Sequence, residues 1–321
     1  MGKVVCYQYV PLIMGRALKR MTPMIKAQGG QVVLDIEDSV QDIFDPNKSS
    51  ALKKKARENL LELTSVYKIQ DVVPIRIRMN GLETSYFEDD LKTIAHIHNT
   101  ICPVADIWLP KSDNLDYVRR ARAAFDEMGC ESIKFTAMLE SEEGLKNLPE
   151  ILDYKNDLGI TKVHYGHYDF SLSAGHWPFI PQDHGEFWKI IDTILSVLKR
   201  YDMPYVHTPL GDLNNKNLFK SVEQELNKKG FGPGMGMTAL NLNQTKFANA
   251  TDGTILNLSL RSDYSESKLI EMAVQKKTAF ENNRINKRSF SVKDDVFVTP
   301  HEYMGACNFL ERNQSKMEAV N

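Results

Sequence analysis

The stretch Gln31-Val32-Val33-Leu34-Asp35-Ile36-Glu37-Asp38 joins a largely apolar run to a pair of acids. Aliphatic and β-branched residues dominate its first six positions, which is typical of a strand buried in a parallel sheet. Glu37 and Asp38 follow where such a strand would leave the sheet. The stretch therefore predicts a buried strand that ends at a polar site.

Similar runs recur along the chain and alternate with longer amphipathic stretches that predict helices. The strand ends from Glu37 to Thr238 are spaced by 26 to 41 residues, a spacing compatible with one βα unit of a (β/α)8 barrel. The predicted helices include Ser50–Thr64, capped by Ser49 or Ser50, Leu115–Glu127, Glu186–Tyr201 and Asn214–Lys229, capped by Asn214. The predicted strands are Val4–Tyr9, Gln31–Ile36, Val72–Arg78, Asp106–Leu109, Ile133–Leu139, Lys162–Gly166, Pro204–His207 and Gly234–Thr238.

The predicted fold is α/β, a (β/α)8 TIM barrel over residues 1–255 with a C-terminal helical extension over residues 256–321. An open doubly wound sheet is the alternative, but its first strand normally runs into a glycine fingerprint. Here the first strand runs into Val10-Pro11-Leu12. The extension should contain helices at Ser265–Asn283 and Glu302–Arg312, and it either caps the barrel or packs on a neighbouring subunit.

Composition excludes several classes of protein. The chain has 321 residues, of which 42% are hydrophobic and 26% charged, as in ordinary globular proteins. Forty Lys and Arg against 42 Asp and Glu argue against nucleic-acid or membrane-surface binding, because both need a clustered cationic field. No run is long and apolar enough for a membrane span, and the first residues do not resemble a secretory signal. Four scattered cysteines predict a cytoplasmic protein with free thiols.

Polar residues end five consecutive predicted strands, and in a barrel these ends meet on one face. A single acid at a strand end is often a cap or a partner in a weak salt bridge, and this alternative applies to Arg78 beside Glu37. Five such strands favour a functional rim. Its members are Glu37, Asp38, Arg78, Asn80, Lys111, Glu140, His167 and Asp169.

Glu140 and Asp169 follow adjacent predicted strands, so both carboxylates can face one point. Carboxylate oxygens with room for water suit Mg2+ or Mn2+. The histidines lack the spacing of a zinc site. The glycine-rich segment Gly230–Gly236 lacks the Lys-Ser/Thr of a phosphate-binding loop, and we interpret it as a helix stop before the last strand.

Several motifs resemble those of the HpcH/HpaI aldolase and citrate lyase beta-subunit family. Leu34–Val40 is similar to its LDxEDxV signature, and Arg78–Gly81 to its RxNG. Leu109–Lys111 is similar to its LPK, Leu139-Glu140 with Gly144 to its E…G element, and Gly166–Asp169 to its GxxD. The resemblance spans about residues 1–250.

The resemblance implies a barrel enzyme that forms or cleaves a carbon–carbon bond of a small oxo-acid through a pyruvate-type enolate. It implies Mg2+ held by Glu140 and Asp169, with Glu37 and Asp38 as an acidic pair near the metal waters. It also implies a homo-oligomer, a trimer or a hexamer.

Enolate chemistry itself suggests roles for further residues. A divalent cation and the Arg78 guanidinium would stabilise the developing negative charge. A base must also take the hydroxyl proton, and His167 and His207 are the candidates, with a structural role as the alternative for each. We predict that the substrate is bound by Arg78, Asn80, Lys111, Gly166 and His207.

Two departures from the family weaken a second hypothesis, that the substrate is a coenzyme A thioester of the citryl-, malyl- or citramalyl-CoA kind. The segment Gly230–Ala239 lacks the Lys and His-Pro of relatives that bind CoA, and Val298-Thr299-Pro300 lacks their C-terminal Asp. CoA thioesters are therefore the less favoured partners. A third hypothesis is a non-catalytic barrel that binds a small acid.

Overall fold

The structure is a computed structural model that describes residues 4–230, 234–250, 264–284, 291–293 and 296–313. Eight parallel strands close into a barrel in chain order, which confirms the predicted (β/α)8 fold. The strands are β1 (Val5–Pro11), β2 (Gly30–Asp35), β3 (Ile75–Arg78), β4 (Val104–Leu109), β5 (Lys134–Leu139), β6 (Ile160–Tyr165), β7 (Tyr205–His207) and β8 (Gly236–Ala239).

Helices alternate with the strands and cover the outside of the barrel. They are α1 (Ala17–Ala27), α2 (Pro46–Ser65), α3 (Phe87–Thr100), α4 (Leu115–Glu127), α5 (Glu142–Asp153), α6 (His167–Ser173), α7 (Gly185–Arg200), α8 (Lys216–Lys228) and α9 (Leu242–Asn249). No helix in the described part of the chain is long and apolar enough to cross a membrane.

Some predicted boundaries were wrong by a few residues. Helix α2 begins earlier than expected because Asp45, and not Ser49 or Ser50, accepts hydrogen bonds from the first free N–H groups, and Pro46 occupies the first turn. Asn215 caps α8 in place of Asn214. Strand β3 is shorter than predicted because a 3-10 turn and Pro74 precede it. The end of α8 supports the predicted helix stop, since Gly230 has a φ of 87°.

Two layers of apolar side chains stabilise the barrel. The larger layer lies between the strands and the surrounding helices. The smaller layer fills the barrel interior with alternate residues of five strands, as the two-residue period of a strand requires. Its members are Tyr7, Tyr9, Val33, Trp108, Met138 and Val206.

The C-terminal extension packs on its own barrel. It contains α10 (Glu266–Arg284), the antiparallel pair β9 (Ser291–Lys293) and β10 (Val296–Val298), and α11 (Pro300–Arg312). Tyr303 of α11 stacks on Phe280 of α10 at 4.8 Å and meets Phe44 of the barrel edge-on at 5.4 Å. The Trp177 indole N–H donates to the Leu269 carbonyl over 3.1 Å. These contacts hold the described part of the extension against its own barrel, and whether it also packs on a neighbouring subunit stays a prediction.

Several sequence-based features lie outside the described residues. These are the domain boundary at residue 255, the centre of the glycine-rich segment at residues 231–233, most of the basic loop Arg284–Arg288, and Asp295 at the start of the predicted strand-like segment.

Arg122 on α4 provides a test of the barrel's outer layer. Its buried guanidinium donates to the carbonyls of Ile133 and Cys130, each over 2.9 Å. Arg122→Ala should lower the free energy of unfolding by about 2–4 kcal/mol, because two buried carbonyls lose charge-assisted hydrogen bonds. Arg120→Ala is the matched control, since Arg120 is exposed and pairs with exposed Glu83, so its effect should stay below about 1 kcal/mol. Equal effects in urea denaturation would contradict this assignment.

Candidate active site

A cavity of about 290 Å³ opens at the carboxyl ends of the barrel strands and is partly covered by the extension. Residues from the barrel rim, from the barrel interior and from the start of α11 form its wall. The side chains that matter below are Tyr9, Asp35, Asp38, Arg78, Glu140, His164, Asp169, Thr208 and His301, with Gly166 and His167 beside them.

Arg78 is held on the rim by a bidentate ion pair with Asp35. Its Nε lies 2.9 Å from Oδ1 of Asp35 and its Nη2 lies 2.6 Å from Oδ2. The Asp35 side chain is fully buried, and it also accepts from the Ser39 hydroxyl and from the Glu37 N–H. The Arg78 guanidinium lies 4.7 Å from the Tyr9 ring centroid. Asp35 was not among the predicted site residues, although it lies within the stretch that predicted the fold.

Glu37 and Asp38 share the other side of the Arg78 guanidinium. Nη1 of Arg78 lies 3.1 Å from Oε2 of Glu37 and 3.0 Å from Oδ2 of Asp38. Burial, together with the charge of Asp38, raises the pKa of Glu37 well above its ordinary value. Burial opposes ionisation of Asp38 as well, but the charges of His301 and Arg78 hold its pKa below the ordinary range. Asp38 is therefore the more acidic member of this pair, and Glu37 retains its proton more readily.

Glu140 follows β5 and is buried at the wall of the cavity. Its Oε2 accepts the Lys111 backbone N–H over 2.7 Å, and no described Lys, Arg or His lies within salt-bridge distance of it. Burial and the charges of Asp169, Glu37 and Asp38 raise its pKa well above the ordinary value. Gly166 is required beside it, because a Cβ there would lie 2.5 Å from Cγ of Glu140. The predicted motifs Leu139-Glu140 and Gly166–Asp169 thus meet in space.

Asp169 lies in the first turn of α6 and contacts a residue that sequence reasoning missed. Nε2 of His301 lies 3.2 Å from Oδ1 of Asp169 and 3.8 Å from Oδ1 of Asp38. Burial alone would lower the pKa of His301, but these two carboxylates raise it to about 10. A ligand atom from each of Asp38, Asp169 and His301 lies within 4.8 Å of the other two.

His301 reaches the cavity because α11 begins there. Thr299 caps the helix and forms a capping box with Glu302, and Pro300 occupies the first turn. The sequence did contain the start signal, Thr299-Pro300, one residue before His301. Nothing in the sequence indicated that this helix end lies over the barrel.

The two predicted candidates for a base are both buried and hydrogen-bonded to neighbouring side chains. Nδ1 of His167 lies 3.2 Å from the Tyr165 hydroxyl and 3.3 Å from that of Ser171. Nδ1 of His207 lies 3.0 Å from the Tyr205 hydroxyl, and its Nε2 lies 3.1 Å from Oε1 of Gln182. Burial lowers the pKa of His167 to about 4 and that of His207 to about 3.

The remaining predicted residues occupy different places around the site. The Asn80 side chain is buried and donates to the Ile36 carbonyl and to Asp90. It therefore stabilises the rim through these two hydrogen bonds. Lys111 presents its backbone N–H to Glu140, while the residue itself is exposed. Among the described residues, Glu37, Asn80, Lys111 and His207 do not line the cavity, whereas Arg78, Asp38, Glu140, Gly166, His167 and Asp169 do.

Comparison with known proteins places this barrel in a family. A sequence model of the HpcH/HpaI aldolase/citrate lyase family matches residues 15–232, so the chain belongs to that family. It is an enzyme of the carbon–carbon lyase/aldolase type. No curated protein sequence shows significant similarity to the chain.

Solved structures share the fold at low sequence identity. Malate synthase from Haloferax volcanii, in a ternary complex with pyruvate and acetyl-CoA, is 15% identical, with 99% of this chain and 93% of that chain covered and a TM-score of 0.74. CitE from Mycobacterium tuberculosis, with magnesium, acetoacetate and coenzyme A, is 15% identical, with 97% and 98% covered and a TM-score of 0.59. The citrate lyase beta subunit from the same organism, with oxaloacetate and magnesium, is 16% identical, with 77% and 96% covered and a TM-score of 0.58.

The contact of His301 with Asp169 and Asp38 predicts a pH-dependent stability in the metal-free protein. The folded-state pKa of about 10 exceeds the ordinary value of 6.5, so the stabilisation is fully present below pH 6.5 and is lost as the pH rises towards 10. With a chelator present, the unfolding free energy of the wild type relative to His301→Gln should fall by about 2–3 kcal/mol between pH 6.5 and 9. A difference that stays constant in denaturant titrations across this range would show that the imidazole is not charged in the folded protein.

Proposed function

We propose that the protein is a divalent-metal-dependent lyase or aldolase that cleaves or forms a small hydroxy-oxo-acid through a pyruvate-type enolate. The observation that carries the proposal is the unbalanced negative charge around Glu140. Arg78 pairs with Asp35, Glu37 and Asp38, and His301 pairs with Asp169, but Glu140 accepts only a backbone N–H. A buried carboxylate in that position favours a cation in the cavity.

The donor set fits a magnesium or manganese ion. Glu140 and Asp169 both line the cavity and offer carboxylate oxygens, the ligands that hard divalent cations prefer. When bound, such a cation would act as a Lewis acid towards the oxo-acid. Magnesium is present in the related CitE and citrate lyase beta-subunit structures, which supports the proposal for this chain.

The protein's own residues would hold and polarise the substrate. Arg78 carries five N–H groups, of which three donate hydrogen bonds to Asp35 and Asp38, and its Nη1 also forms an ion pair with Glu37. The second N–H of Nη2 has no acceptor among the described residues and can donate to a substrate oxygen. Asp35 therefore fixes the direction from which Arg78 acts, and Glu37 and Asp38 limit its movement.

A second candidate is a lyase or synthase that acts on a CoA thioester. It is favoured by the likeness to malate synthase, which extends over 99% of this chain and so includes the extension, and that structure holds acetyl-CoA. Against it stand the missing Lys, His-Pro and Asp in the motifs of relatives that bind CoA. Family membership does not support the third hypothesis, a non-catalytic barrel.

Two further expectations stay predictions. The family resemblance implies a homo-oligomer, a trimer or a hexamer, and light scattering of the purified protein would measure its mass. The cytoplasmic location predicted from the cysteines is consistent with Cys6, Cys102, Cys130 and Cys307, which are all free thiols.

The metal assignment can be tested with isosteric substitutions. Glu140→Gln and Asp169→Asn should each weaken Mg2+ binding at least 10-fold in calorimetry and abolish turnover, because each removes a charged ligand. The fold should persist, since neither change removes a buried apolar group. Glu143→Gln, at an exposed position of α5, is the matched control. Unchanged Mg2+ affinity in both variants would exclude this pair as ligands. Loss of affinity in Asp38→Asn, Asp169→Asn and His301→Gln, with Glu140→Gln unchanged, would assign the ion to the cluster of Asp38, Asp169 and His301.

The choice between free acids and thioesters requires a direct assay. We expect release of a 2-oxo-acid from free hydroxy-oxo-acids in the presence of Mg2+, and no large thermal stabilisation by acetyl-CoA. Release should be unaffected by added CoA. Faster turnover of malyl-CoA than of any free acid, or stabilisation by acetyl-CoA of several degrees, would make the thioester reaction the function of this site.

A further inference from the structure

His301 lines the cavity of the active site but has no role in the reaction proposed above. Only 7% of the residue is exposed, and its Nε2 lies 3.2 Å from Oδ1 of Asp169 and 3.8 Å from Oδ1 of Asp38. Imidazole nitrogens and carboxylate oxygens are also the common ligands of divalent transition metals. The contact therefore has two explanations, an ion pair alone or part of a metal site.

The distances around Nε2 of His301 agree with those between ligands of one cation. A cation such as Mg2+ holds its ligands at about 2.1 Å, so neighbouring ligand atoms at right angles lie about 3.0 Å apart and opposite ones about 4.2 Å. The 3.2 Å between Nε2 and Oδ1 of Asp169 is close to the first value, and the 3.8 Å to Oδ1 of Asp38 lies between the two. One atom from each of the three residues lies within 4.8 Å of the other two. A single ion can therefore contact Asp169 and His301 with little movement of either side chain.

The charge of the cavity gives an independent reason for a cation beside His301. The Glu140 side chain is buried, and among the described residues it accepts only the Lys111 backbone N–H. The positive charge of His301 faces Asp169 and Asp38 instead. A divalent cation between Glu140 and Asp169 would lie next to His301, because Asp169 belongs to both contacts. Nε2 of His301 would then release its proton to the solvent and present its lone pair to the ion.

The position of His301 is fixed by the packing of α11. The residue lies in the first turn of this helix, where the capping box of Thr299 and Glu302 holds the helix start. Further along α11, Phe309 packs on Trp177 with 6.2 Å between the ring centroids. A side chain that is already held in place loses little entropy when it binds a ligand.

We propose that His301 is a nitrogen ligand of the divalent cation, together with the oxygen ligands Glu140 and Asp169. The inference rests on the proposed function, because the ion is the one proposed there, and it narrows the identity of that ion. Sites with an imidazole ligand favour Fe2+, Co2+, Ni2+ or Zn2+ over Mg2+, which prefers oxygen. His301 thereby determines the metal preference of the site.

The same ligand would link the extension to the barrel. Glu140 follows β5 and Asp169 lies in α6, whereas His301 belongs to α11 of the extension. Opening of the extension would break the bond between His301 and the metal, so a bound ion stabilises the docked extension by mass action. The ion would thus hold the cover of the cavity in place.

Metal affinities test the proposal through His301→Gln. Glutamine can still donate a hydrogen bond to Asp169, but it has no imidazole nitrogen. In calorimetry, the variant should bind Co2+ at least about 10-fold more weakly than the wild type, and Mg2+ less than about 3-fold more weakly. His96→Gln is the matched control and should leave both affinities unchanged, because His96 is exposed on α3 and does not line the cavity. Equal losses for the two metals in His301→Gln would contradict a nitrogen ligand.

A spectroscopic measurement detects the nitrogen directly. In the wild type, electron spin echo envelope modulation of bound Mn2+ should show coupling to an imidazole nitrogen. The coupling should disappear in His301→Gln and persist in His96→Gln. A wild type without the coupling, or a coupling that persists in His301→Gln, would overturn the proposal.

Hydrogen exchange measures the link between the extension and the barrel. Saturating Co2+ should slow the exchange of the α11 amides at least about 10-fold in the wild type and much less in His301→Gln. Equal slowing in the two proteins would show that the metal stabilises the extension without His301, which contradicts the proposal.

These measurements separate the metal ligand from the proposed function. Binding of Co2+ and Mg2+ that requires Glu140 and Asp169 but not His301 would refute the nitrogen ligand and leave the proposed lyase intact. A wild type that shows the nitrogen coupling but releases no 2-oxo-acid from any free acid would refute the proposed reaction and retain the ligand. Failure of every divalent cation to bind would refute both.

Discussion

The ion pair between Arg78 and Asp35 organises the rim of this barrel. It joins the last residues of two adjacent strands, β2 and β3, which pair in register at this position. The Asp35 side chain is fully buried and that of Arg78 is largely so, and loss of Arg78 would leave an uncompensated charge inside the protein. The same guanidinium holds Glu37 and Asp38, so three carboxylates of the site take their positions from one cation.

The arrangement leaves the opposite part of the cavity short of positive charge. Glu140 is buried next to Asp169 and receives only a backbone N–H. A divalent cation would neutralise this excess of negative charge. The clustered carboxylates lower the stability of the folded protein in the absence of such a cation, and they would serve to bind it.

The extension completes the site. Aromatic contacts of Phe280 and Tyr303 with Phe44 fix α10 and α11 on the barrel, and the capped start of α11 then places His301 against Asp169. A histidine would lose a proton readily in a buried apolar setting, and the two carboxylates reverse this tendency. The wall of the cavity thus depends on residues more than 130 positions apart in the chain.

The sequence by itself determined the barrel, the polar strand ends and the family, because hydrophobic periodicity, strand spacing and the Glu37-Asp38, Arg78 and Glu140 motifs are local features. Only the tertiary structure decided what those residues contact. Whether Arg78 pairs with Asp35 or faces the substrate depends on strand register, and whether a histidine has a free nitrogen depends on neighbours distant in sequence. His301 and the Tyr9 ring entered the site for the same reason. Their roles come from packing between elements, which no local pattern encodes.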